Sequence, residues 1–504
     1  MEDAACQPHA FPSRHQWRSF PEQILMNESS PRSEAGLSKN AVGLSHIVFF
    51  VVAAAAPLTA MVGATPAAFS LGNGPGVPGV FVLAGVMYLI FSIGYAAMSR
   101  HISNAGAFYA YIANGLGRPA GVGGAFVAIV AYNAVQIAIY CMFGFFLNDS
   151  IQRHYGVDVP WWAFALACVV AVHFCGARRI EFSGRLLGML MIGEIAIVML
   201  LDLAIVVHGA STGGFSAKPF SPAMVFAPGL GTALVFVLGS YMGFEATAIF
   251  SEEARDPKRT IPRATYLAVI LIMAFYALSS WAIVEAWGEH AIAAQAARDP
   301  ANLWFAVSGR LLGGIATDAM NVLLVTSLFA AILSFHNTIT RYFYAMGRER
   351  VLWRKLGHTC PVHRCPDVAG KVQTLIALAA IAGSAAFRLD PFAVVFSWMS
   401  ALATIGIIAV QILVAASVIA FFARDHRDAG VVHRLIAPLV SVIALGACLV
   451  LVVRNLSVLS GSDSTFVAMF PYFLVAVGAF GIRAALRLKR SDPDLYRELG
   501  RAAQ

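Results

Sequence analysis

Apolar residues in this chain come in blocks of about twenty, parted by short polar stretches. Twelve blocks can be drawn, at about 45–71, 77–98, 121–147, 160–177, 184–208, 230–250, 264–287, 313–338, 372–388, 392–422, 435–453 and 466–486. A helix of roughly 20 apolar residues crosses the hydrocarbon core of a bilayer, and longer ones can tilt. The pattern therefore predicts an all-α polytopic membrane protein with 12 transmembrane helices.

Composition agrees. Of the 504 residues 59% are hydrophobic and 12% charged, against about 25% charged in an ordinary soluble domain. A water-soluble fold of this length could not hide so much apolar surface. The net charge of +8 would suggest nucleic acid in a soluble protein, but its placement says otherwise. With the N-terminus inside, 29 of the 35 Lys and Arg fall on the inner side and 6 on the outer. That is the positive-inside bias of a membrane protein with both termini cytoplasmic, and it removes the nucleic-acid reading.

Two blocks are interrupted. The first carries Pro57 and Gly63 around Thr59. Proline removes a backbone donor, and glycine permits angles that a helix does not use. The sixth carries Gly239 and Gly243, then Glu245. An acid at membrane depth costs about 2.5–3.5 kcal/mol or more, so a mere anchor has no use for one. The first and sixth spans cross in opposite directions. Breaks at matching places in two inverted halves point to a transporter site at the midplane, whereas a single break reads as an ordinary kink.

Four passages carry a family likeness: Pro57, Leu58, Thr59 and Gly63; the run from Ser103 through Tyr109, Tyr111 and Gly115 to Gly121; Gly243, Phe244 and Glu245 followed by Glu252 to Pro262; and Arg341 to Arg350. In these the chain, over about residues 40–425, resembles the amino acid–polyamine–organocation permeases, bacterial amino acid permeases in particular. The resemblance implies a LeuT-like fold in the cell (inner) membrane. Residues 43–425 would form a ten-helix core of two inverted repeats, about 43–210 and 228–425, with broken helices 1 and 6. Helices 11 and 12, within 426–487, would be peripheral. Cytoplasmic tails would lie at 1–42, expected to be disordered, and at 488–504. Met26 opens a polar stretch like that after Met1 and is a second candidate start.

Such a fold works by alternating access around a central site. Free N–H groups of the outer half of span 1, at Thr59, Ala60, Met61, Val62 and Gly63, would take a carboxylate. Carbonyls of span 6 at Gly239, Ser240, Tyr241 and Met242, beside Gly243, would hold an ammonium group. Comparison with the family adds Ala131, Tyr132 and Gln136 on span 3, Phe244 on span 6 and Ser397 on span 10 around the cargo side chain. Plain packing between helices is the alternative for Tyr132 and Gln136. Glu245 is expected either to gate or to hold the break open by bonding to unwound backbone.

Span 5 holds Glu194, where some proton-coupled relatives place what looks like a lysine. A buried carboxyl can load and release a proton near neutral pH, and could equally pair with a cation. Sodium would also draw on hydroxyls of span 8, where only Ser334 is at hand. A proton is therefore favoured over sodium as coupling ion. Asp202 lies nearer the outer end and is expected at the interface.

His358 to Cys365 is too tightly spaced for the usual zinc patterns. His173 and His336 read as packing histidines. The charges from Glu252 to Arg263 form either a solvated run or an inner-face network. The seven cysteines, Cys6, Cys141, Cys168, Cys175, Cys360, Cys365 and Cys448, imply no disulfide framework. No metal, nucleotide or nucleophile motif points to an enzyme or a cofactor. The expected function is a secondary active transporter for an amino acid or related amine, proton-coupled. An exchanger, a sodium symporter and a transporter-like sensor stay open, as do neutral amino acids, cationic amino acids, polyamines and ethanolamine as cargo.

Overall fold

The computed structural model describes residues 43–102, 107–177, 184–209, 214–245, 247–248, 254–360, 366–425, 429–460 and 465–500. The N-terminal segment, Glu252, Glu253, His363 and Cys365 lie outside the described residues. Every regular element among those described is a helix.

The first apolar block folds as two helices. α1 (Leu44–Ala54) stops short of Ala56, which takes φ +46°. Pro57 disfavours right-handed helical angles at the residue before it, so the break falls there. α2 (Thr59–Leu71) then opens with a π-helical turn, Thr59–Ala64, in which the Thr65 N–H reaches back five residues to Ala60 O. The sixth block behaves likewise. The helix that spans Leu230–Ser240 gives way to turns at Tyr241–Gly243, with Gly243 at φ +115°, a backbone angle that only glycine adopts readily.

Between these breaks run α3 (Val77–Ser99), α4 (Ala107–Gly115), α5 (Arg118–Tyr155), α6 (Trp161–Ala177) and α7 (Gly184–His208); Leu230–Ser240 is α8. Then come α9 (Pro257–Trp287), α10 (Ile292–Arg298), α11 (Leu303–Leu311), α12 (Gly314–Arg348), α13 (Asp367–Ala386) and α14 (Pro391–Arg424). The chain continues with α15 (Val432–Arg454), α16 (Phe470–Ser491) and α17 (Pro493–Glu498). Among the described residues nine of these helices are long and apolar enough to cross a membrane, and α2, α6 and α8 are shorter apolar helices. The chain is thus a polytopic membrane protein.

α5 is the central post. Buried residues make up 78% of its apolar window, against 17% for α16, the least buried of the nine. α4, α6, α12, α14 and α16 all pack on α5, while α9 lies along α3. α10 covers α2, and the Trp304 indole of α11 donates to Thr65 Oγ1 at 3.1 Å. α14 starts at Asp390, whose carboxylate caps the N–H groups of Phe392 and Ala393 at 2.9 and 2.6 Å.

The carboxyl-terminal segment packs onto the bundle. Arg118 donates to Arg497 O at 2.7 Å and lies over the Tyr496 ring, and Leu499 is buried. The Tyr109 hydroxyl of α4 donates to Glu349 Oε2 at 2.6 Å, and Gly500 N–H also reaches the Glu349 carboxylate. Asp202, which the sequence places towards the outer end of span 5, is packed against α9. It is 4% exposed, because Ser279 of α9 faces it and donates to its Oδ2 at 2.6 Å.

Candidate functional site

The two breaks meet at a cavity of about 70 Å³. Span 1 contributes Ala55, Ala56, Thr59, Ala60 and Ala64, and span 6 Val235, Phe236, Gly239, Ser240 and Met242. α5 adds Val135, Ala138, Ile139 and Met142, α12 adds Ala331 and Phe335, and α14 adds Phe396, Ser400, Ala403 and Thr404. The walls are aliphatic and aromatic, with four hydroxyls and no charged side chain among these residues. That composition suits a small solute whose polar ends meet backbone and whose remainder is apolar.

A line of hydrogen bonds leaves the cavity at Thr59. Its hydroxyl donates to Ser327 Oγ of α12 at 3.0 Å, and Ser327 donates to Glu194 Oε2 of α7 at 2.8 Å. The Leu58 N–H, at the start of α2, also bonds the Glu194 carboxylate. Glu194 thus sits where the helix dipole favours negative charge. On the other side of the break the Tyr276 hydroxyl of α9 donates to Ala55 O at 2.9 Å. The backbone groups freed by Pro57 are in this way tied to α7 and α9.

Glu245 performs a similar service for span 6. Its Oε2 accepts the Gly243 N–H at 2.9 Å and its Oε1 the Tyr132 hydroxyl at 2.8 Å. Its own carbonyl accepts the Tyr95 hydroxyl of α3 at 2.9 Å. Turn bonds from Tyr241, Met242 and Phe244 end on the carbonyls of Leu238, Gly239 and Tyr241. Each of these carbonyls keeps a second lone pair.

The structure distributes the sequence candidates unevenly. Thr59, Ala60, Gly239, Ser240 and Met242 line the cavity. Met61 and Val62 are buried in packing, and Gly63 backs onto Met142. α5 turns Val135, Ala138, Ile139 and Met142 to the cavity in place of Ala131, Tyr132 and Gln136. Ala131 sits against Gly406, and Gln136 donates to Ile332 O at 3.0 Å while accepting from Gln373. Tyr241 reaches Phe81 O at 2.7 Å, and Phe244 packs on Tyr88 and Phe91. Ser397 bonds Phe392 O at 3.2 Å, while its neighbours Phe396 and Ser400 face the cavity. Ser334 is half-buried on α12, seven residues beyond Ser327. Ser327 escaped the sequence reading, although two turns of helix place it on the same face as Ser334. Met142, Tyr276 and Thr404 were missed with no local signal to mark them.

Of the charges from Glu252 to Arg263, Arg259 in the first turn of α9 and Asp256 just before it form an exposed pair at 3.7 Å. His358 is bonded to Asp367 at 3.0 Å, and no group of three metal-ligating side chains occurs among the described residues.

Comparison with known proteins returns transporters. A family model described as amino acid permease matches residues 46–493. An uncharacterized transporter of Mycobacterium tuberculosis (strain H37Rv) is 30% identical over 332 residues, 64% of this chain and 69% of its own. An uncharacterized transporter of Rhizobium meliloti is 26% identical over 310 residues, 59% and 64% of the two chains. The branched-chain amino acid permease BcaP of Lactococcus lactis is 24% identical over 305 residues, 56% and 63%.

Proposed function

Because this chain belongs to the amino acid permease family, we propose that it is a proton-coupled secondary transporter for a neutral amino acid with an apolar side chain. It works by alternating access in the cell (inner) membrane, within a LeuT-like bundle of twelve spans and cytoplasmic termini. The ten-helix core at 43–425 holds the site, and the remaining two spans are peripheral. Support for that architecture comes from the matching breaks of spans 1 and 6 around one cavity and from the distribution of Lys and Arg.

The observation that carries the reading is the cavity joined to a buried acid through Thr59, Ser327 and Glu194. Its apolar walls favour an aliphatic side chain, because a cationic one would be left without a carboxylate partner there. The name of the Lactococcus relative points the same way. The α-carboxylate meets the N–H groups of Thr59 to Gly63, and the ammonium meets carbonyls near Gly239. A protonated Glu194 loosens its hold on the Leu58 N–H, so that loading a proton eases cargo binding at the same helix end.

The test is binding by thermal shift on purified protein with L-leucine, L-alanine, L-lysine and L-glutamate, followed by proteoliposome uptake under imposed pH or sodium gradients. L-leucine or L-alanine should stabilise and be accumulated with the pH gradient, and Glu194→Gln should abolish the gradient dependence. Preference for L-lysine would overturn the cargo assignment, and accumulation driven by sodium alone would overturn proton coupling.

A further inference from the structure

Eight residues beyond Glu194, α7 carries the second buried acid, Asp202. Its Oδ2 takes the Ser279 hydroxyl, but its Oδ1 is buried without a hydrogen-bond partner. A buried carboxylate with an unmet oxygen is costly in a helix bundle, and intramembrane acids are retained for function. The open oxygen is where a proton would sit. The two acids are about 12 Å apart along the helix axis.

α9 bridges that interval. Tyr276 and Ser279 lie on adjacent turns of one face. Ser279 bonds Asp202, and Tyr276, whose hydroxyl is on Ala55 O, lies within electrostatic reach of Glu194. Long helical side chains lean toward the N-terminus of their helix, so Tyr276 extends from the level of Ser279 toward that of Glu194. Polar groups thus line the way from Asp202 to the acid that touches the cavity network. The ionisable groups at that level on the neighbouring helices are engaged elsewhere. Glu285 of α9 accepts the Ser216 N–H, Arg310 of α11 donates to Ala286 O beside Trp287, and Asp318 of α12 is bonded to His154. On α7 itself His208 bonds Ala204 O.

We propose that Asp202 is a second proton-binding site, the outer station of a relay that loads Glu194. This rests on the coupling role given to Glu194 above and on the orientation that places the C-terminal end of α7 outside. A proton from outer water neutralises Asp202 and then passes to the Glu194 carboxylate. Asp202 returns to its anion and Glu194 becomes the neutral acid, so one proton moves inward while Ser279 and Tyr276 end as they began.

The experiment uses the full chain in proteoliposomes, with radiolabelled L-leucine and a pH-sensitive dye to count protons per leucine. Asp202→Asn should lower pH-gradient-driven uptake by about tenfold while leucine counterflow, which needs no net proton movement, falls by no more than about twofold. Asp202→Glu should restore the coupled flux. If Asp202→Asn keeps wild-type gradient-driven uptake and proton count while Glu194→Gln loses both, the relay is overturned and the role of Glu194 stands. If Glu194→Gln also keeps them, both fall. Should Asp202→Asn fail to fold, Ser279→Ala decides. A shifted pH profile of uptake supports the relay, and an unchanged one overturns it.

Discussion

A methyl group added at Gly63 would overlap the terminal carbon of Met142, a cavity-lining side chain. The missing side chain at one position thus sets where the other can lie, and with it the room left for cargo. Gly63→Ala should push Met142 into the cavity and cut leucine uptake by about tenfold, the equivalent of 1.4 kcal/mol. Met142→Ala on that background should recover most of the loss, measured as uptake by the single and double variants under one gradient. Gly63 was read in the sequence as a helix breaker; it lies instead within the helical turn Thr59–Ala64, outside the positive-φ region, and only its small size was legible. Its partnership with Met142 was not, because nothing local says which side chain of a distant helix fills the space that a glycine leaves.

At the scale of elements, the apolar helices could be read directly, since a bilayer demands long apolar runs and punishes charge within them. Pro57 marked the break of span 1 to within a residue or two. The rotational setting of α5 could not be read. A helix buried on all sides carries no polar stripe to mark its phase, so Tyr132 and Gln136 looked as good as Val135 and Met142. Ser327 shows the same limit, as it joins Thr59 and Glu194 across 268 and 133 residues of chain. Replacing Ser327 by alanine removes the donor to Glu194 and the acceptor for Thr59 in one step. Its leucine uptake should lose pH-gradient dependence by about fivefold or more, with binding by thermal shift changed much less. Equal loss of binding and uptake would make Ser327 a packing residue instead.

For the whole molecule, the docked carboxyl-terminal segment makes a prediction about pH. Burial holds the Glu349 carboxyl above its ordinary value of 4.5, against smaller lowering pulls from the Tyr109 hydroxyl, the Gly500 N–H and Arg348. A group that binds its proton more tightly when folded adds stability that is complete below its unfolded value. That stability is lost as pH rises through the folded value. The fold around Glu349 should therefore lose stability as pH climbs above 4.5. The melting temperature of the purified protein should fall over that range, and Glu349→Gln should lessen the fall, with Pro493–Gly500 still packed on the bundle. The sequence placed these residues in a polar tail because few of them are apolar. Leu495, Tyr496 and Leu499 were enough to pack it down once Arg118 had an aromatic face to cover.

The π-helical turn at Thr59–Ala64 also bears on how span 1 tolerates a change of length. Such a turn holds one residue more than an α turn, so the chain carries a local surplus there. Deleting a residue from an ordinary span swings everything beyond it about 100° around the axis and turns its core face toward lipid. Deleting Val62 instead lets the turn relax to α geometry with Thr65–Leu71 still in phase. That shortened protein should fold and melt close to the parent, whereas loss of one residue from the middle of α3 should not. Its defect should appear in transport alone, marking the turn as a part kept for use and not for folding.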